Sequence, residues 1–590
     1  MTKKRVRPRY SLWQTELLAQ LRRRADEQPD MLTLATNPRR EDNKAVTVGI
    51  ALNTGSIAVV PGGLPLQERE EFLLCLPESP RLPPGVFVQH DRFLGFPHVM
   101  LGRVLCVYLD PYREWDPAGG ATALLNRLYQ WLADAAGAQF DAATALYHAV
   151  GGVLHRTEGT PTLVVRDIPS RLATARLAHR SPTRLDVVFG PEAAGDRAPL
   201  FFTSHHLPLG ATNTLDLLLA VLGHEAQGFL TTLSASAVRN PEGTPQYYLL
   251  AIPHPAGGPH HLLGGRLPPA TADALRSFGR RHGPAAIQPS MIRQDTKIEW
   301  CNMSDERAEN TTRRDATRPV NGLLDKTAYI WGCGGLGSWM AEFMVRAGIS
   351  KITLCDPGTI IGGLLVRQNY TEADIGKDKA TALADRLRAL SDAVDVTVDS
   401  GMGPANVADM LAADIIVDAT VSLSVQRDLD ALASSPDRRA VIAQVATDAR
   451  SATLGILHVS APGNGGTLTS LDESAGAAVM ADGSLELYHC LWNSDHADEL
   501  TPTRGCSAPT FHGSAADVAV VAGTLTSLIG SHLRGTAVSG THLVASPTAA
   551  AGPRHHFLPH DSSDQRQSGL PRSGRPLAGE RATAGQPSGS

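Results

Sequence analysis

The chain has 590 residues, of which 42% are hydrophobic and 19% charged, and its formal net charge is -5 at pH 7. That length exceeds what one hydrophobic core supports and predicts three or four domains. Without a basic excess, neither nucleic acid nor an anionic membrane is expected as the main partner. Seven scattered cysteines with no CxxC pair argue against a four-cysteine zinc site and against a disulfide scaffold. A reducing, cytoplasmic setting is the expectation. The basic start MTKKRVRPRY runs into an interrupted amphipathic segment rather than a signal-peptide core, and the longest apolar runs read as too short to cross a bilayer.

In chain order, residues 11–25 read as a helix with Trp13, Leu17, Leu18 and Leu21 on one face. Strand-like runs MLTLAT, KAVTVGIAL and SIAVV follow, and then a proline-rich stretch leads into FPHVMLGRVLCVYLDPYREWDP. Leu124, Leu128 and Trp131 place ALLNRLYQWLADAAG on a helix. These elements make an α+β domain over residues 1–155. Residues 156–315 mix apolar runs with many turns and suggest a small α/β or α+β bridging domain that ends in the polar linker 304–319.

From residue 326 the alternation becomes regular. KTAYIWG is a strand, GLGSWMAEFMVRAG a helix and KITLCD a strand; a helix and two further strands, VDVTV and DIIVDAT, come next. Such alternation predicts a doubly wound, mostly parallel sheet over 316–545, so the chain as a whole reads as multidomain α/β. Residues 546–590 carry few large apolar side chains and are expected to be disordered.

The loop GCGGLGS, with Gly332, Gly334, Gly335 and Gly337, sits between a strand and a helix, where backbone amides can approach phosphates. Asp356 ends the next strand and suits ribose hydroxyls. Beyond it, VRQNYTEADIGKDKA gathers Arg367, Lys377 and Lys379, and the chain has only eight lysines. A hydride-transfer site has little use for such a cluster, whereas a site that stabilises charge on transferring phosphates does.

Together GCGGLGS, Asp356, VRQ and GKDK resemble the adenylation domain of ThiF-type and ubiquitin-activating enzymes. The resemblance implies ATP with Mg2+ as cofactors, Arg367 and Lys379 at the phosphates, and Gln368 shaping the site. Leu364 stands where that family usually has asparagine, and Val421 where it has an acidic metal residue. Asp418 is then the nearby acidic candidate.

Cys106, with Trp115 and Pro117 after it and FPH before it, resembles the active-site segment of ubiquitin-conjugating enzymes. His98 stands where their oxyanion-supporting asparagine would be, and is a substitute donor. Cys506, in TPTRGCSAPTF, reads as an exposed turn with Arg504 available to lower its pKa, and resembles the catalytic cysteine of bacterial fused forms. Cys490 is flanked by apolar residues and reads as buried. Cys333 and Cys355 read as packing residues, and Cys75 and Cys301 have no supporting context. The histidine pairs at 205–206, 260–261 and 555–556 lack matching carboxylates or cysteines, so no metal centre is expected from them.

The domain order resembles the fused activating–conjugating enzymes of bacterial ubiquitin-like systems, including those in CBASS anti-phage operons. It implies adenylation of a small ubiquitin-like protein, thioesters on Cys506 and then Cys106, and transfer to a target protein, which in CBASS members is a cyclic-nucleotide synthase. A homodimer is expected from the same resemblance. A sulfur-carrier adenylyltransferase and a non-catalytic nucleotide-binding scaffold stay open as alternatives.

Overall fold

The computed structural model describes residues 10–93, 96–100, 103–108, 110–140, 150, 155–190, 194–207, 210–254, 257–308, 310, 315–399, 407–420, 422–463, 466–493, 512–549 and 554–560. The chain divides into two compact units, Met1–Thr312 and Arg313–Ser590.

In the first unit, helix α1 (Leu12–Glu27) opens with a capping box in which Ser11 and Gln14 satisfy each other's backbone amides. Gln14 is buried, and its Nε2 faces the carbonyls of Lys44, Leu76 and Pro77 at 3.1 Å, which ties the helix start to the sheet. Leu17, Leu18 and Leu21 are buried on one face, each contributing about 1.5–3 kcal/mol. The sheet contains β1 (Leu32–Leu34), β2 (Arg39–Arg40), β3 (Val46–Asn53), β4 (Arg69–Leu76), β5 (Gly85–Val88), β6 (Val99–Met100) and β7 (Val104–Leu105). Its order is β1-β3-β4-β5-β7-β6, antiparallel throughout, with β2 beside β3. Short α2 (Pro111–Glu114) and long α3 (Gly120–Ala136) follow β7, and α3 buries Leu124, Leu128, Trp131 and Leu132 in the same core as α1.

The bridging region departs from a simple layered reading. Strands β8 (Thr162–Val165), β9 (Ala173–Ser181), β10 (Arg184–Val188), β11 (Asp196–Phe202), β12 (Gln246–Ile252), β13 (His261–Leu267) and β14 (Glu299–Asp305) close into a barrel ordered β10-β8-β14-β13-β12-β11-β9. Leu163, Leu177, Leu185, Leu200 and Leu249 belong to one buried cluster of this barrel. Helices α4 (Leu215–Leu222), α5 (Ala226–Val238) and α6 (Pro269–His282) contribute Leu218, Phe229, Leu233 and Leu275 to a second cluster with Tyr248 and Leu250. Alternate residues of β12 thus serve two cores, which is why the whole strand is buried.

The second unit holds an eight-stranded sheet: β15 (Thr327–Trp331), β16 (Lys351–Cys355), β17 (Asp395–Asp399), β18 (Ile415–Asp418), β19 (Val441–Thr447), β20 (Leu454–Ser460), β21 (Gly540–Ala545) and β22 (Arg554–Pro559). The order β17-β16-β15-β18-β19 is parallel, and β20, β21 and β22 extend it antiparallel. Its helices are α7 (Gly335–Arg346), α8 (Lys379–Leu390), α9 (Val407–Ala412), α10 (Leu423–Ala433), α11 (Leu468–Ala481) and α12 (Ala515–Arg534). α7, α8 and α12 contribute to one core cluster, and α10 and α11 to another.

Two expectations change here. The run DVAVVAGTLTSLIG belongs to a 20-residue helix, α12, long and apolar enough to span a bilayer by length and composition, yet Val518, Val521, Leu525 and Ile529 on it are core residues. The segment after 546 is not wholly without order: β22 pairs with β21 from Gly540↔Pro559 to Ala545↔Arg554. Residues 561–590 lie outside the described residues. Where the turn Pro319–Leu323 crosses α12, Gly322 and Gly530 meet. A Cβ on Gly322 would lie 2.1 Å from the Gly530 carbonyl oxygen, and one on Gly530 would lie 2.6 Å from that of Pro319.

Candidate functional site

The glycine loop leaves β15 with Gly332 at φ +89°, a conformation that disfavours L side chains. A Cβ on Gly337 would meet the Gly332 carbonyl oxygen at 1.8 Å, so these two glycines are dictated by packing. Gly334, the N-cap of α7, faces open space, and a Cβ there would meet only Gln368 Nε2, at 4.0 Å. Gly335 is the first, buried residue of α7. Gly334 is the partly exposed residue of an otherwise buried loop, so the amides of the helix N-terminus can be approached there.

Asp356 closes that loop from the next strand. Its Oδ2 accepts from the Cys333 amide at 2.8 Å and its Oδ1 from the Gly358 amide at 2.7 Å. Lys379 starts α8. Its amide donates to the Gly358 carbonyl at 2.9 Å, and its Nζ lies 3.2 Å from where a Gly358 Cβ would stand. Its ammonium has no ion pair among the described residues. Lys377, by contrast, pairs with Asp374 at 2.9 Å, so it is committed to the turn before α8. Arg367 is half-buried, and desolvation lowers its pKa. Gln368 is buried with Oε1 unpaired, an acceptor held in the loop's neighbourhood without a protein donor.

Residues that sequence reasoning passed over fix this arrangement. Trp339 Nε1 donates to the Arg367 carbonyl at 3.2 Å, and the Asn369 amide donates to Ser338 Oγ at 3.1 Å. Asn369 Nδ2 reaches Glu342 at 2.6 Å, and Glu342 also holds Arg346 and Arg386. The Tyr370 hydroxyl lies 2.7 Å from the Cys333 carbonyl and 3.2 Å from that of Lys379, so one proton bridges the glycine loop and the start of α8. Ser338 and Tyr370 were within the motifs themselves; their backbone partners are remote in sequence and leave no local signal.

Asp418 stands differently from its expected role. It is fully buried and its pKa is raised by desolvation. Oδ1 accepts from the Thr420 amide and hydroxyl, and Oδ2 from Gln444 Nε2 at 2.9 Å. The residues present fit nucleotide phosphates, but Asp418 does not fit a metal ligand, and no His, Cys, Asp and Glu cluster among the described residues could hold one. Val421 lies outside the described residues.

Cys106 follows β7 in the first unit. Its amide donates to the His98 carbonyl at 2.9 Å, and its Sγ donates to the Tyr108 carbonyl at 3.4 Å. Burial raises the thiol pKa, Glu114 raises it further, and Arg127 partly offsets them. Glu114 and Arg127 lie 3.6 Å apart and were not foreseen. His98 is brought to the same turn with φ +61°, stacks edge-on to Phe140 at 4.8 Å, and has its pKa lowered by burial. Trp115 is a wedge beneath this segment, edge-on to Tyr108 and donating to the Pro80 carbonyl at 2.8 Å. Cys506 and Arg504 lie outside the described residues. Cys490, read from its neighbours as buried, is exposed: Leu485 and Tyr488 carry the inward face of its 3-10 segment, and Cys490 falls on the other.

Comparison with known proteins finds three family models along the chain: prokaryotic E2 family A over residues 30–150, the Cap2 central linker domain over 192–306, and the ThiF family over 316–550. The sulfur carrier protein ThiS adenylyltransferase of Bacillus subtilis is 38% identical over 102 residues, 16% of this chain and 30% of that protein. The tRNA threonylcarbamoyladenosine dehydratase of Escherichia coli is 32% identical over 122 residues, 20% of this chain and 46% of that protein. The chain thus spans less than half the length of either relative. A crystal structure of E. coli MccB with ATP matches 41% of this chain and 66% of that one at 16% identity, with a TM-score of 0.29. The chain therefore carries, in order, a prokaryotic E2-like domain, a Cap2 linker domain and a ThiF adenylation domain, an assembly consistent with a bacterial fused E1/E2-like CBASS enzyme.

Proposed function

We propose that this protein adenylates the C-terminus of a ubiquitin-like or related small protein and conjugates it to a target, in anti-phage defence. The observation that carries the reading is one polypeptide holding two separate candidate sites. A glycine loop with space at Gly334 is flanked by Arg367, Gln368 and Lys379, and a cysteine, Cys106, sits in a turn with His98 and Trp115. In the first step the modifier's carboxylate oxygen bonds to the α-phosphorus of ATP and pyrophosphate leaves. Lys379 and Arg367 stabilise the charge that develops on the phosphates. The Cys506 thiolate then attacks the acyl carbon and AMP leaves. Transfer to the Cys106 thiolate regenerates Cys506, and a target amine displaces Cys106 and loses its proton. His98 supports the oxyanion of the last two steps. Mg2+ would arrive with the nucleotide, since no group of carboxylates that could hold it is found among the described residues. A homodimer in the cytoplasm is part of the same proposal.

The names of the curated relatives favour a second reading, activation of a sulfur carrier alone. ATP–pyrophosphate exchange with a candidate ubiquitin-like protein tests both. Exchange together with a reductant-sensitive adduct on Cys106 supports the fused relay. Exchange with an inert Cys106 supports the sulfur-carrier reading, and absence of exchange leaves a scaffold.

A further inference from the structure

We propose that the cavity bordered by α6 and the strap that follows it binds a soluble anionic amphiphile, a small molecule with an aliphatic chain and a carboxylate head. Helix α6 buries Ala272, Leu275, Arg276 and Gly279 toward the core. Ala270, Ala274 and Phe278 recur every four residues on another face of the helix and border a cavity of about 670 Å³. Two of these three are alanine, so the helix supplies little bulk to fill the space. Residues 283–297 form the strap, which contains two 3-10 turns, Pro284–Ala286 and Pro289–Met291. It is pinned at two points. Gln227 Nε2 on α5 donates to the Ile287 carbonyl at 2.8 Å, and the Leu215 amide at the start of α4 donates to the Thr296 carbonyl at 2.8 Å. Between the pins, Met291 and Ile292 line the same cavity.

The chain of the ligand follows from this lining. Leu215, Leu267 and Ile287 are buried lining residues, whereas Met291 is exposed, so the cavity runs from an apolar floor to solvent. Apolar walls held apart forgo contacts that a bound hydrocarbon would supply. The volume lies within the range of about 300–1,000 Å³ usual for sites that take small organic ligands. From Ala270 to Phe278 the helix rises about 12 Å, which suits an aliphatic chain of roughly eight to ten carbons. Among the described lining residues, Met291 is the one large apolar side chain that is exposed, too little to enter a bilayer. A soluble amphiphile therefore fits better than a membrane.

The head group is set by one turn. The Thr296 amide and hydroxyl both donate to the Arg293 carbonyl, at 3.3 and 2.7 Å, and Asp295 takes φ +71°. Residues 293–296 thus close into a β-turn, and Arg293 and Lys297 on either side of it both line the cavity. Neither cation has a side-chain hydrogen bond or ion pair among the described residues. Asp295 lines the cavity as well and is likewise unpaired there, which leaves two cations to one carboxylate. An anionic head that accepts from both the guanidinium and the ammonium is favoured over a neutral or cationic one. This inference goes beyond adenylation and conjugation and does not depend on them.

The test titrates the full chain with sodium octanoate below its micellar concentration, by isothermal titration calorimetry, with octanol and octyltrimethylammonium in parallel. Octanoate is expected to bind saturably, and the other two at least about fivefold more weakly. The variant R293Q/K297Q is expected to weaken octanoate about tenfold and to leave octanol unchanged. Ala274→Phe is expected to fill the cavity and weaken octanoate about tenfold without lowering the melting temperature. All three positions are exposed, and if one variant fails to fold the other carries the test. No saturable octanoate binding, equal affinity for the three ligands, or unchanged octanoate affinity in either folded variant would each overturn the proposal. So would sedimentation of the chain with phosphatidylglycerol vesicles that Ala274→Phe abolishes, since the face would then be a membrane contact.

Discussion

In the proposed function, Lys379 and Arg367 are the residues on which adenylation would turn. Replacing either with alanine is expected to slow pyrophosphate exchange by about 10²–10³ while the melting temperature holds, because each faces charge that appears at the phosphates. Normal exchange in both variants would remove the assignment. Cys106 carries a second prediction. Glu114 raises its pKa and Arg127 lowers it, so Glu114→Gln should speed alkylation of Cys106 near neutral pH and Arg127→Gln should slow it. Effects of about two- to fivefold are expected, followed by mass spectrometry of the Cys106 peptide. The glycine loop and Asp356 were legible in the sequence because their spacing is local, whereas the pairing that takes Lys377 out of the basic cluster was not. Tyr370, Glu342 and the Glu114–Arg127 pair were not, since each acts through a partner brought close only by the fold.

Among the elements, β22 shows where pattern reading fails. RHHFLP has little alternation to reveal it, and its hold on β21 comes from a six-residue ladder and from ring stacking. His542 stacks on His555 and Phe557, and its imidazole bridges His532 and His555 at 2.8 Å on each side. Truncation before Arg554 should therefore lower the melting temperature, whereas truncation after His560 should not. The same cluster sets a pH dependence. His542 is held at about 3 by burial, with His532 and His555 adding to the effect. The native state thus resists protons that the unfolded chain binds below about 6.5. Stability should fall as pH drops from 6.5 toward 3, and His542→Phe should flatten that slope in thermal melts; an unchanged slope would count against the cluster. Strongly periodic α1, α3 and α7 were readable, whereas closure of the barrel was not. It depends on β8 pairing in parallel with both β10 and β14, and these contacts span more than a hundred residues on one side.

For the molecule as a whole, the order of the first and last domains was legible because each carries a local motif, whereas the bridging domain carries none and only its place between them could be read. The proposed relay would join the outer two. In Cys506→Ala the acyl-adenylate should still form, without a thioester on either domain. In Cys106→Ala the modifier should remain on Cys506 as an adduct cleaved by reductant. Non-reducing gels with ATP and the modifier distinguish the two variants. A thioester persisting in Cys506→Ala would mean that Cys106 is loaded directly.

The crossing of Gly322 and Gly530 bears on how this gene can vary. A single methyl at either position meets backbone, not a side chain that could swing away, so no second-site change of rotamer relieves it. Neighbouring sequences in mutational space are penalised there, and drift through alanine carries a cost in stability from both directions. For the experimenter the same geometry supplies a conditional allele. Gly530→Ala leaves every residue of the glycine loop in place, and should yield a protein that functions in cells grown cool and fails when they are warmed.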